Sequence, residues 1–134
     1  MLKKLAHVTL YVRDCEEALQ FYTDKLGFEK RMDSRMDDGS RWLTIGLPEQ
    51  ELEIVLHDPT DWHSEDVAQQ MLALVGKNPM WVWQTDDFYS TYEQFRQNGV
   101  TFLGEPRDVM YGTEAVFTDL YGNQYLLLQT VSFS

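Results

Sequence analysis

The sequence predicts an α+β fold of two modules, each with the order strand, helix, strand, strand, strand. Several segments alternate apolar and polar residues with period two, which predicts half-buried strands. Residues 14–27 and 86–99 share an aspartate, apolar residues at helical spacing and a closing glycine. A repeat of this size is typical of duplicated supersecondary units. Because 134 residues are about the length of one domain, the two modules are expected to complete a single core.

The first module is predicted over about residues 1–58. Its first strand, residues 5–13, runs into Asp14, a preferred N-cap residue, and Glu17 follows three positions later as in a capping box. Gly27 supplies the stop signal of this helix. Three strands follow: from Phe28 to a turn at residues 37–40, through residues 41–47, and over residues 51–58.

A connector with its own helix is predicted over about residues 59–79. Ser64 is its predicted cap and Gly76 its predicted end. The second module, about residues 80–134, then repeats the order of the first. It consists of the strand "MWVWQT", a helix capped by Asp86 or Asp87, and the strands "VTFL", "TEAVFTD" and "NQYLLLQT".

The charge and composition restrict the partners. The chain carries 22 acidic and 11 basic residues, a formal net charge of −11, which repels phosphate backbones and argues against nucleic acid. No segment approaches the roughly 20 apolar residues that span a bilayer, and the N-terminus lacks a signal peptide, so a cytoplasmic protein is predicted. Cys15 is the single cysteine, which fits a reducing compartment. No base is evident beside it, so it is not a predicted nucleophile.

Two stretches connect the sequence to a known family. "QFYTDKLGFE" (20–29) has an aromatic pair before the "LGF" that closes the first helix, and "FTDLYGNQYLLLQ" (117–129) has an aspartate and "GN" before the last strand. In these features the chain resembles the vicinal oxygen chelate superfamily, which includes glyoxalase I, extradiol dioxygenases and bleomycin-binding proteins. The resemblance implies one glyoxalase/bleomycin-resistance-type domain, with paired modules whose mixed sheets curl into a cup. It also implies a homodimer.

The resemblance allows the metal ligands of this superfamily to be traced. Metal-using members take one ligand from each of four strands, and the first of these positions matches His7. The other three match Val55, Met80 and Leu126. Valine and leucine have no donor atom, and methionine sulfur prefers soft metals, so no metal cofactor is predicted.

A divalent metal stays open as an alternative. Glu53 and His57 lie on the same face of the strand as Val55, and each is displaced from it by two residues, or about 6.6 Å. If the alignment shifts, they approach His7, and the alternative metal site consists of His7, Glu53 and His57. His63, in the connector, is interpreted as a solvated surface histidine.

Without a metal, the cup is predicted to be a small-molecule site, because an apolar wall with a few polar groups is typical of such sites. The alternative is that the side chains lining the cup pack against one another and fill its interior. Tyr111 lies in a loop beside Gly112 and is either a residue that closes over a ligand or an ordinary exposed tyrosine. Trp81 and Trp83 are expected on the opposite face, in the core. The predicted lining consists of His7, Thr9, Tyr11, Val55, His57, Met80, Val82, Gln84, Leu126 and Leu128.

Three functions follow from these observations. The first is metal-independent binding of a small organic molecule, cationic or neutral, and the acidity of the chain favours a cation. The second is a divalent-metal-dependent lyase, isomerase or dioxygenase of glyoxalase type, with non-standard ligands around His7. The third is an enzyme without a metal, in which His7 or His57 acts as general base. The first is the prediction, and the sequence leaves open whether any reaction is catalysed.

Overall fold

A computed structural model describes residues 1–131 of the chain. It divides into two compact units, Met1–Val75 and a second that begins at Gly76. The module boundaries predicted near residues 58 and 79 stay a prediction. Within residues 1–131, every helix is too short or too polar to cross a bilayer.

The first unit contains a four-stranded mixed sheet. Its order is β1-β4-β3-β2, in which β1 and β4 run parallel and the other neighbours run antiparallel. This confirms the predicted strand–helix–strand–strand–strand module. The elements are β1 (His7–Tyr11), α1 (Cys15–Leu26), β2 (Glu29–Arg35), β3 (Arg41–Gly46) and β4 (Glu53–His57).

Helix α1 begins and ends at the predicted signals. The Asp14 carboxylate accepts hydrogen bonds from the backbone N–H groups of Glu16 and Glu17, and Gly27 ends the helix at φ 82°. This left-handed conformation favours glycine because it has no Cβ. Cys15, at the first position of the helix, is buried, and burial raises the pKa of its thiol to about 11. The thiol is therefore protonated at neutral pH.

The connector contains two helices, α2 (Pro59–Trp62) and α3 (Glu65–Leu72). The first was not predicted. It is capped by Asp58, whose carboxylate accepts from the backbone N–H of Thr60. The second ends at Leu72, four residues before the predicted stop at Gly76, and its cap residue Ser64 makes no side-chain capping bond.

The second unit repeats the topology with one interruption. Its sheet has the order β5-β9-β8-β6, with β5 and β9 parallel, and β7 also pairs with β8. Strand β7 was not predicted; Gly104 and Pro106 separate it from β6. Of the two candidate caps, Asp87 is the one that caps α4. The elements are β5 (Trp81–Gln84), α4 (Phe88–Gln97), β6 (Thr101–Phe102), β7 (Arg107–Val109), β8 (Gly112–Thr118) and β9 (Gln124–Thr130).

Aromatic rings fill the core of the second unit. Tyr125 is fully buried, with Trp81 stacked on it at 5.9 Å and Trp83 edge-on at 6.1 Å. Its ring also packs against Phe117 at 5.5 Å. The two tryptophans are half-buried and pack against this core, on the face that strand alternation predicted.

Candidate functional site

One face of the sheet in the first unit brings most of the chemistry-bearing side chains together. Strands β1 and β4 are parallel neighbours in a register that pairs His7 with Glu53 and Tyr11 with His57. Thr9 and Val55 form the pair between them. Because successive side chains of a strand point to opposite faces, all of these side chains lie on one face. The structure thus brings five predicted site residues of this unit together.

At one end of this face, a histidine and a carboxylate meet beside a tryptophan. The Nε2 atom of His7 lies 3.6 Å from Oε1 of Glu53, and the His7 ring lies 5.7 Å from the Trp42 ring in an edge-on arrangement. The Glu53 side chain is 20% exposed, yet its Oε1 atom is buried and accepts no hydrogen bond from residues 1–131. A buried carboxylate oxygen without a donor is costly, and each such atom in a native structure calls for an explanation.

At the other end of the face, His57 lies among rings. It is stacked on Trp62 at 6.0 Å and lies 5.9 Å from the ring of Tyr11. Its Nε2 atom is 3.0 Å from Nε2 of His63, so the two imidazoles share a proton in a hydrogen bond. The pKa of His57 is lowered, first by burial and then by the neighbouring charge of His63. The interpretation of His63 as a solvated surface residue is wrong, because it is half-buried against His57.

The strand register decides which side chain of β4 lies beside His7. Glu53, and not Val55, lies opposite His7, while the side chain of Val55 is buried opposite Thr9. His7 and Glu53 therefore supply two donors at one end of the face, and His57 lies at the other end. Among residues 1–131, no group of three or more His, Cys, Asp or Glu side chains is placed to hold a metal ion. These donors do not fit a metal centre with three or four protein ligands.

The second unit presents a mainly apolar face. The register pairs Val82 with Leu126 and Gln84 with Leu128, so these four predicted residues share one face of the sheet. Val82 is 54% exposed, and Met80, which directly precedes β5, is 46% exposed.

One buried carboxylate on this face was not predicted. Glu114, opposite Leu128, is 3% exposed and accepts hydrogen bonds from Nη2 of Arg107 at 2.7 Å and from Oη of Tyr111 at 2.9 Å. The hydrogen bond to Glu114 raises the pKa of Tyr111. Alternation in "GTEAVFT" places Glu114 on the same face as Val116, which is the signal that could have identified it.

Comparison with known proteins gives consistent matches. The model of the Glyoxalase/Bleomycin resistance protein/Dioxygenase superfamily matches residues 4–126. The uncharacterized protein YetH of Bacillus subtilis (strain 168) is 34% identical over 127 residues, which are 95% of this chain and 98% of that protein. The crystal structure of UcmS2 aligns with a TM-score of 0.83 and 40% identity, covering 96% of this chain and 98% of UcmS2. TnmS3, an antibiotic binding protein from Streptomyces sp. CB03234, aligns with a TM-score of 0.78 and 25% identity, covering 97% and 98%.

Proposed function

Because the chain belongs to the Glyoxalase/Bleomycin resistance protein/Dioxygenase superfamily, we propose that it is a binding protein for a small organic cation and that binding needs no metal ion. The similarity to TnmS3, an antibiotic binding protein, supports the choice of binding over catalysis. The donor set supports metal independence, since His7 and Glu53 provide only two ligands at their end of the sheet face.

The observation that carries the proposal is the buried Oε1 atom of Glu53, which lacks a hydrogen-bond donor in residues 1–131. The Glu53 side chain as a whole is 20% exposed, so a ligand can approach its charge through the exposed part of the side chain while Oε1 itself is buried. A protonated amine or guanidinium there compensates the negative charge, and hydrogen bonds between charged groups are about twice as strong as neutral ones. The net charge of −11 attracts the same class of ligand over longer distances.

Aromatic side chains on this face favour a ligand with a ring or an alkylammonium group. Trp42 is half-buried beside His7, and the indole is the most favourable ring for a cation–π contact. Thr9, Tyr11 and Val55 continue the face toward His57 as the proposed neighbouring contacts. On the second unit, we propose the exposed apolar face as a contact surface for organic ligands, with Tyr111 beside it. This surface consists of Met80, Val82, Gln84, Leu126 and Leu128.

The test compares matched aromatic ligands that differ only in charge: an amine, its neutral isostere and its carboxylate analogue. Affinities are measured by tryptophan fluorescence in the presence of EDTA. We expect the amine to bind most tightly, and Glu53→Gln to weaken the amine by about tenfold or more, which corresponds to about 1.4 kcal/mol. Binding of the neutral isostere should change little.

Glu51→Gln is the matched control. Its carboxylate lies two residues away in sequence but is 85% exposed, so its removal changes the net charge equally and leaves the sheet face intact. An equal loss of amine affinity in both variants would mean that the effect comes from long-range attraction by the net charge, and it would refute a specific role of Glu53. Loss of binding in EDTA would refute metal independence.

A further inference from the structure

The His7–Glu53 pair joins a buried carboxylate oxygen without a donor to a titratable side chain. Oε1 of Glu53 is buried and accepts no hydrogen bond within residues 1–131. Because solvent does not reach this atom, a donor for it has to come from a neighbouring side chain. Nε2 of His7 lies 3.6 Å from Oε1, just beyond hydrogen-bond range. His7 is therefore placed to supply the missing donor.

Protonation decides whether His7 donates to Glu53. A neutral imidazole has one nitrogen that donates and one that accepts, whereas an imidazolium donates through both. A charge-assisted N–H···O bond is about 2.7–2.9 Å long, so an imidazolium at this position has to move toward Glu53 by less than about 1 Å. The His7 side chain is 41% exposed and lies on β1, at the edge of the sheet, which leaves room for this shift.

We propose that His7 and Glu53 form a proton switch for the binding of the cationic ligand, an inference that rests on the proposed function and adds its regulation. With His7 neutral, the charge of Glu53 is uncompensated and attracts the cation through the exposed part of the side chain. With His7 protonated, the imidazolium pairs with Glu53 and repels the cation. His7 therefore takes up a proton from water when the ligand leaves and returns it when the ligand binds. Histidine suits this role because its ordinary titration range lies between about pH 5 and 8.

The charged groups on the neighbouring segments of the first unit compensate one another. Lys4, which precedes β1, pairs with Glu51, which precedes β4, at 3.2 Å. From β2, Nε of Arg31 donates to Glu29 at 2.8 Å. The Nη2 group of Arg31 donates to two backbone oxygens of the β3–β4 loop. These charges are therefore engaged with partners of their own, and Glu53 is the carboxylate that the His7 imidazole faces.

The other rings on this sheet face are neutral or distant. Trp42, from β3, is the aromatic neighbour of His7 and carries no charge. Tyr11 and His57 lie four residues further along β1 and β4, which corresponds to about 13 Å. This distance exceeds the Debye length of about 8 Å at physiological ionic strength, so their titration affects His7 little.

The test follows the binding of an aryl-trimethylammonium ion, whose charge is the same at every pH. Its affinity is measured by tryptophan fluorescence from pH 8 to pH 5.5, in EDTA and at constant ionic strength. An opposite charge within about 4–6 Å changes the proton affinity of an ionisable group by about tenfold or more. By linkage, protonation changes ligand affinity by the same factor. We therefore expect the affinity to fall about tenfold over this interval, with release of a proton on binding near pH 6 detected by calorimetry in two buffers.

Two substitutions hold position 7 in a single charge state. His7→Phe keeps a ring beside Trp42 but has no proton site, so its affinity for the probe should not change with pH. His7→Lys is charged throughout and should bind the probe more weakly than His7→Phe at every pH. His63→Asn is the matched control, because it removes a histidine from the same unit and should retain the pH dependence.

The outcomes separate the proton switch from the proposed function. A wild-type affinity that does not change with pH, or that changes equally in His7→Phe, would overturn the proton switch. If the probe binds and Glu53→Gln weakens it, but pH has no effect, the proposed function stands and the proton switch is refuted. If the probe binds no better than its neutral isostere at pH 8, both are refuted.

Discussion

The two units share a strand order, but their sheet faces differ in chemistry. In the first unit the paired strands β1 and β4 present His7, Glu53 and His57 on one face. In the second unit the paired strands β5 and β9 present Val82, Leu126 and Leu128 instead. Topology is thus preserved between the repeats, whereas polar groups that can bind a ligand are concentrated on the first. The repeated backbone pattern supplies the fold, and the side chains on each face decide what that face can do.

The two carboxylates on these faces show the difference most clearly. Glu114 is 3% exposed and receives donors from Arg107 and Tyr111. Glu53 lies on the same sheet face as His7 in the first unit, and its Oε1 atom receives no donor from residues 1–131. A carboxylate that receives hydrogen bonds stabilises the fold, whereas a buried carboxylate oxygen without a donor lowers the stability. Substitutions at the two positions should therefore have different effects.

The largest expected effect concerns the loops that join the last two strands of each unit. In the second unit, the Asn123 side chain donates to Oδ2 of Asp119 at 2.8 Å and accepts from the backbone N–H of Asn78 at 3.0 Å. Asn123 is 1% exposed. We expect Asn123→Leu to lower the free energy of unfolding by about 3 kcal/mol, because it removes a donor from a buried carboxylate and an acceptor from a backbone amide. Urea unfolding measures this change.

The control for this prediction is Gln50→Leu in the β3–β4 loop of the first unit. Arg31 donates to the backbone oxygens of Leu47 and Gln50, so side-chain identity at position 50 does not enter these bonds. The change should stay within about 0.5 kcal/mol, as for most surface substitutions. A similar loss of unfolding free energy at both positions would show that side-chain contacts stabilise both loops, and it would contradict this prediction.

The second prediction compares the carboxylates directly. Glu114→Gln replaces a buried, hydrogen-bonded charge, and we expect it to lower the free energy of unfolding by about 1–3 kcal/mol. Glu53→Gln removes a poorly compensated charge, so stability should be unchanged or higher. Urea unfolding of both variants at pH 7 measures the difference. If Glu53→Gln were as destabilising as Glu114→Gln, Glu53 would be a structural residue and not a ligand contact.

Periodicity and local signals were enough to predict the helices α1 and α4 and most strands. Asp14 and Gly27 are signals that act within a few residues, so they can be recognised without knowing the rest of the fold, whereas the sequence left Asp86 and Asp87 as alternative caps of α4. Helix α2 was missed because four residues are too short for a periodic pattern. Strand β7 was missed because it is three residues long and follows Pro106.

The sequence predicts on which face of its strand each site residue lies, but not which residue of the neighbouring strand or helix lies next to it. Alternation placed His7 and Glu53 on one face, yet only the parallel register of β1 and β4 places them opposite each other. Register between distant strands depends on packing across the whole sheet, which a single sequence does not encode locally. The contact of His57 with His63 depends on the path of α2, so it could not be predicted either.

The smallest expected effect is on the pH dependence of the unfolding free energy, and it arises from His57 in the first unit. Burial and His63 hold the pKa of His57 below its unfolded value of about 6.5. Between these two values the unfolded chain binds a proton that the folded chain does not, so stability falls as pH decreases from about 6.5. Above that pH, His57 is neutral in both states and contributes no slope.

His57→Gln should therefore flatten the fall in unfolding free energy between pH 6.5 and 5.5, an interval set by the unfolded pKa. Chemical unfolding in a series of buffers at constant ionic strength measures this slope in the variant and in the wild type. The slope is the informative quantity, because the variant also loses the hydrogen bond to His63 and shifts in stability at every pH. An unchanged slope would mean that α2 leaves His57 open to water in the folded state, and the contrast between the two faces would then rest on Glu53 alone.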